Sequence, residues 1–125
     1  MSNVPLAMLI FSSTKKELDN LVEILSAEDV TITTAIDRKQ IIAAFEEESF
    51  DIFVCLNDSG DKETREVIDT FLRHSTSMIT CKIGDRDENE DPNCDFFIQK
   101  SCLSEEHSLR IFFRNIIKFT KRQKT

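Results

Sequence analysis

The residues best placed to do chemistry sit at the ends of apolar runs. Ser12 and Ser13 follow LAMLIF, Asn57 and Asp58 follow FDIFVCL, Thr80 and Lys82 lie in SMITCKI, and Lys100 follows DFFIQ. Neutral Ser12, Ser13 and Asn57 can hydrogen-bond one another, but they hold a divalent cation poorly, because Mg²⁺ wants hard, charged oxygen ligands. A carboxamide is also a far weaker nucleophile toward phosphorus than a carboxylate. Asp58 is the one carboxylate beside Asn57. Successive strand residues point to opposite faces, so Asp58 reads as a solvated loop-edge aspartate. Asp37 and Asp61 read as turn residues on the same grounds.

Other constellations fail on spacing. Asp85, Asp87, Asn89 and Asp91 alternate like the start of a calcium loop. Such a loop needs glycine sixth and glutamate twelfth, where this chain has Glu90 and Phe96. A solvated acidic loop, able to dock a basic partner, is the better reading. Cys55, Cys81, Cys94 and Cys102 form no C-x-x-C pair and are too sparse for a disulfide-stapled domain, so they read as thiols in a reducing compartment. His74 and His107 lack metal-ligand spacing, and two glycines cannot build a phosphate-cradling loop. No metal and no cofactor are expected.

Composition narrows the classes further. At 125 residues, 40% hydrophobic and 31% charged, the chain fits one soluble globular domain spanning residues 1–125. A formal charge of −7 argues against a nucleic-acid partner, which needs a basic footprint. The basic tail, Lys118, Lys121, Arg122 and Lys124, reads as cations placed favourably at a helix C-terminus. No apolar run approaches the roughly 20 residues of a membrane span, and MSNVPLAMLIFSS lacks the features of a signal peptide. A cytoplasmic protein with no membrane partner is expected.

The elements that must position these residues alternate in kind. Residues 6–11, 30–36 and 50–56, then SMITCKI and DFFIQ, read as five strands; the continuous apolar ones suit a sheet covered on both faces. Between them, Leu18, Leu21, Val22 and Leu25, then Ile41, Ile42 and Phe45, then Val67, Ile68, Phe71 and Leu72 recur at helical spacing. Ser13 or Thr14 is available to cap the first helix. A last helix is expected from a Ser104 cap to about Lys121. Strand–helix alternation implies parallel β-α-β units. One link breaks it: IGDRDENEDPNC, where a helix is due, is acidic, contains Pro92 and has no apolar period.

Over essentially its whole length the chain resembles the receiver domains of two-component response regulators, the CheY-like family. The strongest local match is CDFFIQKS, in which Lys100 takes the place of the family's lysine and Phe97 that of its switch aromatic. The resemblance implies a flavodoxin-like three-layer α/β/α fold with a five-stranded parallel sheet of order 2-1-3-4-5 and a site at the strands' carboxyl ends. Here the fourth helix is expected to be shortened or missing. Receivers hold Mg²⁺ with two acids after the first strand, where this chain has Ser12 and Ser13. They are phosphorylated on an aspartate after the third strand, where it has Asn57. Their fourth strand ends in a hydroxyl residue, matched by Thr80 unless the register shifts by two to Lys82. Their lysine precedes a proline, often cis, but Ser101 follows Lys100. Lys100, lacking the usual anions, is expected to turn to solvent or pair with Asp58, since an unpaired buried ammonium is costly.

The expected role is therefore not enzymatic: a non-phosphorylatable receiver acting as a protein-interaction module in two-component-type signalling. Two alternatives are an active atypical receiver phosphorylated at Asp58 and a small flavodoxin-like protein binding a nucleotide or flavin. LRIFFRNIIKF carries more apolar residues than one buried stripe needs. Its surplus is either a broad core face or an exposed patch, with Ile111, Phe113 and Ile117 as candidates. By resemblance, the fifth-strand and last-helix face would receive a protein partner or a second copy.

Overall fold

The structure, a computed structural model, describes residues 5–56, 62–74, 77–84 and 95–123. Strands β1 (Leu6–Phe11), β2 (Val30–Ala35), β3 (Ile52–Leu56), β4 (Ile79–Gly84) and β5 (Phe96–Gln99) form one sheet of order β2-β1-β3-β4-β5. All four pairings are parallel, as expected. Four helices cover it among the described residues: α1 (Lys15–Leu25), α2 (Arg38–Glu47), α3 (Lys62–Arg73) and α4 (Glu106–Gln123). Residues 85–94, between β4 and β5, on which the expectation of a shortened or missing fourth helix falls, are outside the described residues.

Alternation along the strands makes two cores. Met8, Ile10, Val54, Leu56, Cys81, Ile83 and Ile98 face α1 and α4, where Leu21, Leu109 and Phe113 meet them. Leu9, Phe11, Phe53 and Cys55 face the other way, against Ile41 of α2 and Ile68 of α3. Every residue of β3 is buried, which explains why IFVCL has no polar alternation. Cys55 and Cys81 are buried thiols on opposite faces of adjacent strands.

Two aspartates fasten the strand starts. Asp51 accepts a hydrogen bond from the Ala7 amide (2.8 Å) through its carboxylate, while its own amide donates to the Ala7 carbonyl (2.8 Å). Asp95 does the same to Thr80, with bonds of 2.8 and 2.9 Å. Each carboxylate satisfies a backbone donor that the sheet ladder would otherwise leave open at that edge. Asp37 is more than a turn residue: it caps α2, accepting from the Gln40 amide (2.9 Å), while the Gln40 side chain accepts from the Ile36 amide (2.9 Å). The arrangement resembles a capping box, except that the Gln40 side chain reaches the amide one residue before the cap.

The α4 terminus departs from expectation. Lys100–Ser104 form a 3₁₀ turn, and the Ser104 hydroxyl donates back to the Ser101 carbonyl (3.0 Å) instead of capping α4, which starts at Glu106. The chain thus leaves β5 through a tight turn before the helix begins.

Candidate functional site

The register fixes which residues share the carboxyl rim of the sheet. Phe11 lies opposite Cys55, Cys55 opposite Lys82, and Lys82 opposite Phe97. Ser12 is the next residue up from that row, and Gly84, opposite Gln99, ends β4. Lys100 follows β5 directly. Ser12, Phe97 and Lys100 are therefore brought to one end of the sheet. Asn57 and Asp58 lie outside the described residues.

Thr80 does not join them. It pairs with Phe53, which pairs with Leu9, and its amide is held by Asp95 at the start of β5. At about 3.3 Å per strand residue this leaves Thr80 roughly 10 Å below the Ser12 level, buried at the foot of the sheet. The assignment of Thr80 to the pocket is thus corrected. Of the two registers weighed, the one bringing up Lys82 lies closer, although the strand's final position belongs to Gly84 and carries no hydroxyl. Lys82 is only 8% exposed and shares the α2/α3 face with Cys55. Phe97, its neighbour on that face, is half-buried.

Ser12 is wholly buried, and its hydroxyl serves the turn between β1 and α1. It accepts from the Thr14 amide and donates to the Thr14 carbonyl, both at 3.1 Å. Its own amide continues the ladder to the Ala35 carbonyl at 3.2 Å. Thr14 then stands in the cap position of α1 without a side-chain cap bond, so Ser12 supplies the local polar closure that neither expected cap residue provides. A hydroxyl suits this place because it donates and accepts at once, which a carboxylate cannot do. Ser13 is exposed.

Lys100 meets an acid the sequence did not suggest. Its ammonium lies 3.6 Å from Glu17 in the first turn of α1, with the two side chains 33% and 25% exposed. At that distance it is an ion pair more than a hydrogen bond. A first-turn glutamate is ordinary helix chemistry, so nothing in the local sequence marks Glu17 as the lysine's partner. Among the described residues, no group of three or more histidine, cysteine or acidic side chains could hold a metal ion.

The last helix divides differently from the expected patch. Phe113 is fully buried and Ile117 nearly so, both in the core against the sheet, so neither belongs to an exposed surface. Ile111 does, at 46% exposure, and Phe119, at 41%, joins it. Phe96 of β5 makes edge-on ring contacts with Phe112 (6.4 Å) and Phe119 (5.7 Å), linking strand edge and helix into one aromatic surface. Arg114 and Lys121 pair with Glu28 and Asp29 at the foot of β2. No helix among the described residues is long and apolar enough to cross a membrane.

Neither a protein-family model nor a curated protein matches this chain. Solved structures do. A CheY-like response regulator receiver domain from Methanospirillum hungatei JF-1 superposes with a TM-score of 0.78 at 16% identity, covering 95% of this chain and 98% of its own. The signal receiver domain of a putative Luxo repressor protein from Vibrio parahaemolyticus gives 0.78 at 13% identity over 96% and 95%. A response regulator receiver domain from Clostridium thermocellum gives 0.72 at 16% over 94% and 98%. The fold is that of CheY-like receivers, matched over nearly the whole length.

Proposed function

We propose that this receiver-fold chain works in two-component-type signalling as a protein-interaction module that does not take up a phosphoryl group. The observation that carries the reading is Ser12: where receivers place an acid, the chain has a buried, uncharged hydroxyl that both donates to and accepts from Thr14. With Ser13 exposed beside it and Asn57 in the acceptor's sequence position, the rim has lost the charges that hold Mg²⁺ and the carboxylate that attacks phosphorus. The ion pair from Lys100 to Glu17 supports the same reading. It gives the family's lysine a permanent internal anion in place of a transient phosphoryl group.

The partner surface we assign is the β5–α4 face, now with Ile111 and Phe119 as its exposed apolar residues in place of Phe113 and Ile117. Exposed apolar area beside an aromatic strand edge suits a protein partner or a second copy of the chain. No nucleic-acid or membrane partner is part of this reading, and the assigned place of work is the cytoplasm.

Intact-mass analysis after acetyl phosphate and Mg²⁺ tests the central claim, with Asp58→Asn as control. An unchanged mass is expected. An added phosphoryl group that vanishes in Asp58→Asn would replace this reading with that of an active atypical receiver.

A further inference from the structure

β2 stands at the end of the sheet order, so one of its two sides has no strand beside it among the described residues. One bond fixes which backbone groups lie on that side. The Ala35 carbonyl accepts from the Ser12 amide at 3.2 Å, so Ala35 turns its main-chain groups toward β1. The amide and carbonyl of a strand residue point the same way, and successive residues alternate. Thr31, Thr33 and Ala35 therefore bond to β1, while Val30, Ile32 and Thr34 face outward. The Val30 amide donates to the Glu28 carbonyl (2.9 Å), and the Ile36 amide donates to the Gln40 side chain (2.9 Å). The open donors of this edge are thus Ile32 and Thr34, between two closed ends.

Nothing in the strand guards them. Exposed edges are normally blunted by a charge, a proline or a bulge. VTITTA has neither charge nor proline, and its register with β1 runs unbroken over all six residues. Ile36, directly after β2, is 40% exposed and is one of three large apolar side chains so exposed among the described residues. The two ends of the strand differ in charge: Glu28 and Asp29 precede it, and Arg38 and Lys39 follow it. Glu28, Asp29 and Arg38 also pair within the chain, with Arg114, Lys121 and Glu63, yet Asp29 stays exposed, as does Lys39. Two such edges laid antiparallel bring acidic end to basic end twice. Laid parallel, they bring like to like, which opposes pairing.

We propose that this edge pairs with a second copy of the chain, β2 against β2 and antiparallel, about a two-fold axis at Thr34. In that register each Thr34 amide donates to the Thr34 carbonyl of the other copy, and each Ile32 amide to the other's Ile36 carbonyl. Both open donors are satisfied, Ile32 covers Ile36, and Asp29 lies beside Lys39. Sliding the copies by two residues sets Asp29 beside Asp37, and by four sets Ile36 beside Glu28. The pairing is strand addition made reciprocal by two-fold symmetry. It leaves the β5–α4 face, at the opposite edge of the sheet, free in both copies, and its failure would leave the phosphoryl-free reading untouched.

Sedimentation velocity over a micromolar-to-millimolar series is expected to show a monomer–dimer equilibrium. The Ile32 and Thr34 amides should gain exchange protection with concentration, with Thr33, bonded to β1, as reference. Thr34→Pro removes an outward donor and spares the ladder to β1, a place where an edge strand tolerates proline. In protein whose circular dichroism matches wild type it should weaken the dimer roughly ten- to a hundredfold, as the loss of two hydrogen bonds implies. Lys39→Glu, at an exposed helical position, should weaken it roughly two- to fivefold without touching the strand. Ile111→Asp, on the far face, should leave it unchanged. A monomer throughout the series, a dimer indifferent to both Thr34→Pro and Lys39→Glu, or one that Ile111→Asp dissociates would overturn the proposal.

Discussion

Lys100 and Glu17 form an ion pair across 3.6 Å that ties the turn after β5 to the first turn of α1. The two residues come from opposite ends of the chain and flank the rim where Ser12 closes its own turn. A lysine in this place has a standing electrostatic need for an anion. Glu17 supplies such an anion from within the protein.

Removing either member should therefore register in stability, modestly, because both side chains are part-exposed. In a double-mutant cycle of Glu17→Gln and Lys100→Met, the coupling energy from urea unfolding is expected at about 0.5–1 kcal/mol. A coupling near zero would mean that the contact contributes no net stabilisation.

Ser12 should be the more sensitive position. Ser12→Ala removes the acceptor of the Thr14 amide and one of two donors to the Thr14 carbonyl, which keeps the Leu18 amide at 3.1 Å, and is expected to cost about 0.5–1.5 kcal/mol in this part-buried turn. Ser12→Asp, which restores the type of residue receivers carry, should also destabilise. Its carboxylate can accept from the Thr14 amide but faces the Thr14 carbonyl with no proton to give. A thermal melt in which Ser12→Asp equals or exceeds wild type would show that the hydroxyl is not what the turn requires.

The two faces of α4 should separate cleanly under mutation. Phe113→Ala is expected to cost about 3–5 kcal/mol as a large-to-small change in the core. Ile111→Asp, on the exposed side, should fall within about 0.5 kcal/mol of wild type, and Phe119→Asp, which also loses its ring contact with Phe96, should cost about 0.5–1.5 kcal/mol. These two variants are consequently the ones to compare with wild type in partner capture from native lysate. Capture that survives both substitutions would move the working surface elsewhere.

The aspartate fasteners at the strand starts give a further check. Asp51→Ala leaves the Ala7 amide without its acceptor in a half-buried position, and a loss of about 1–3 kcal/mol is expected. Asp95→Ala takes the acceptor from the amide of buried Thr80, and a similar loss of about 1–3 kcal/mol is expected. Hydrogen exchange at Ala7 and Thr80 would report each loss locally; unchanged protection at both amides would remove the fasteners from the account.

Much of this was written in local sequence. The parallel sheet followed from alternating strand and helix signals, because parallel strands need crossovers and a sheet covered on both sides needs continuous apolar runs such as IFVCL, while the strand order was implied by the resemblance to receivers. The absence of acids at Ser12 and Ser13 was equally plain, since residue type is read directly. What only the tertiary structure decided concerns choices that local pattern leaves degenerate. Thr80 and Lys82 are two residues apart on one strand face, so the period-2 pattern fits either at the rim, and pairing with Phe53 and Cys55 broke the tie. Phe113 and Ile111 belong to one broadly apolar helix, and only its docking angle on the sheet buried the first and exposed the second. Glu17 and Lys100 are remote in sequence, and a contact between remote residues is set by packing in three dimensions, which no local periodicity encodes.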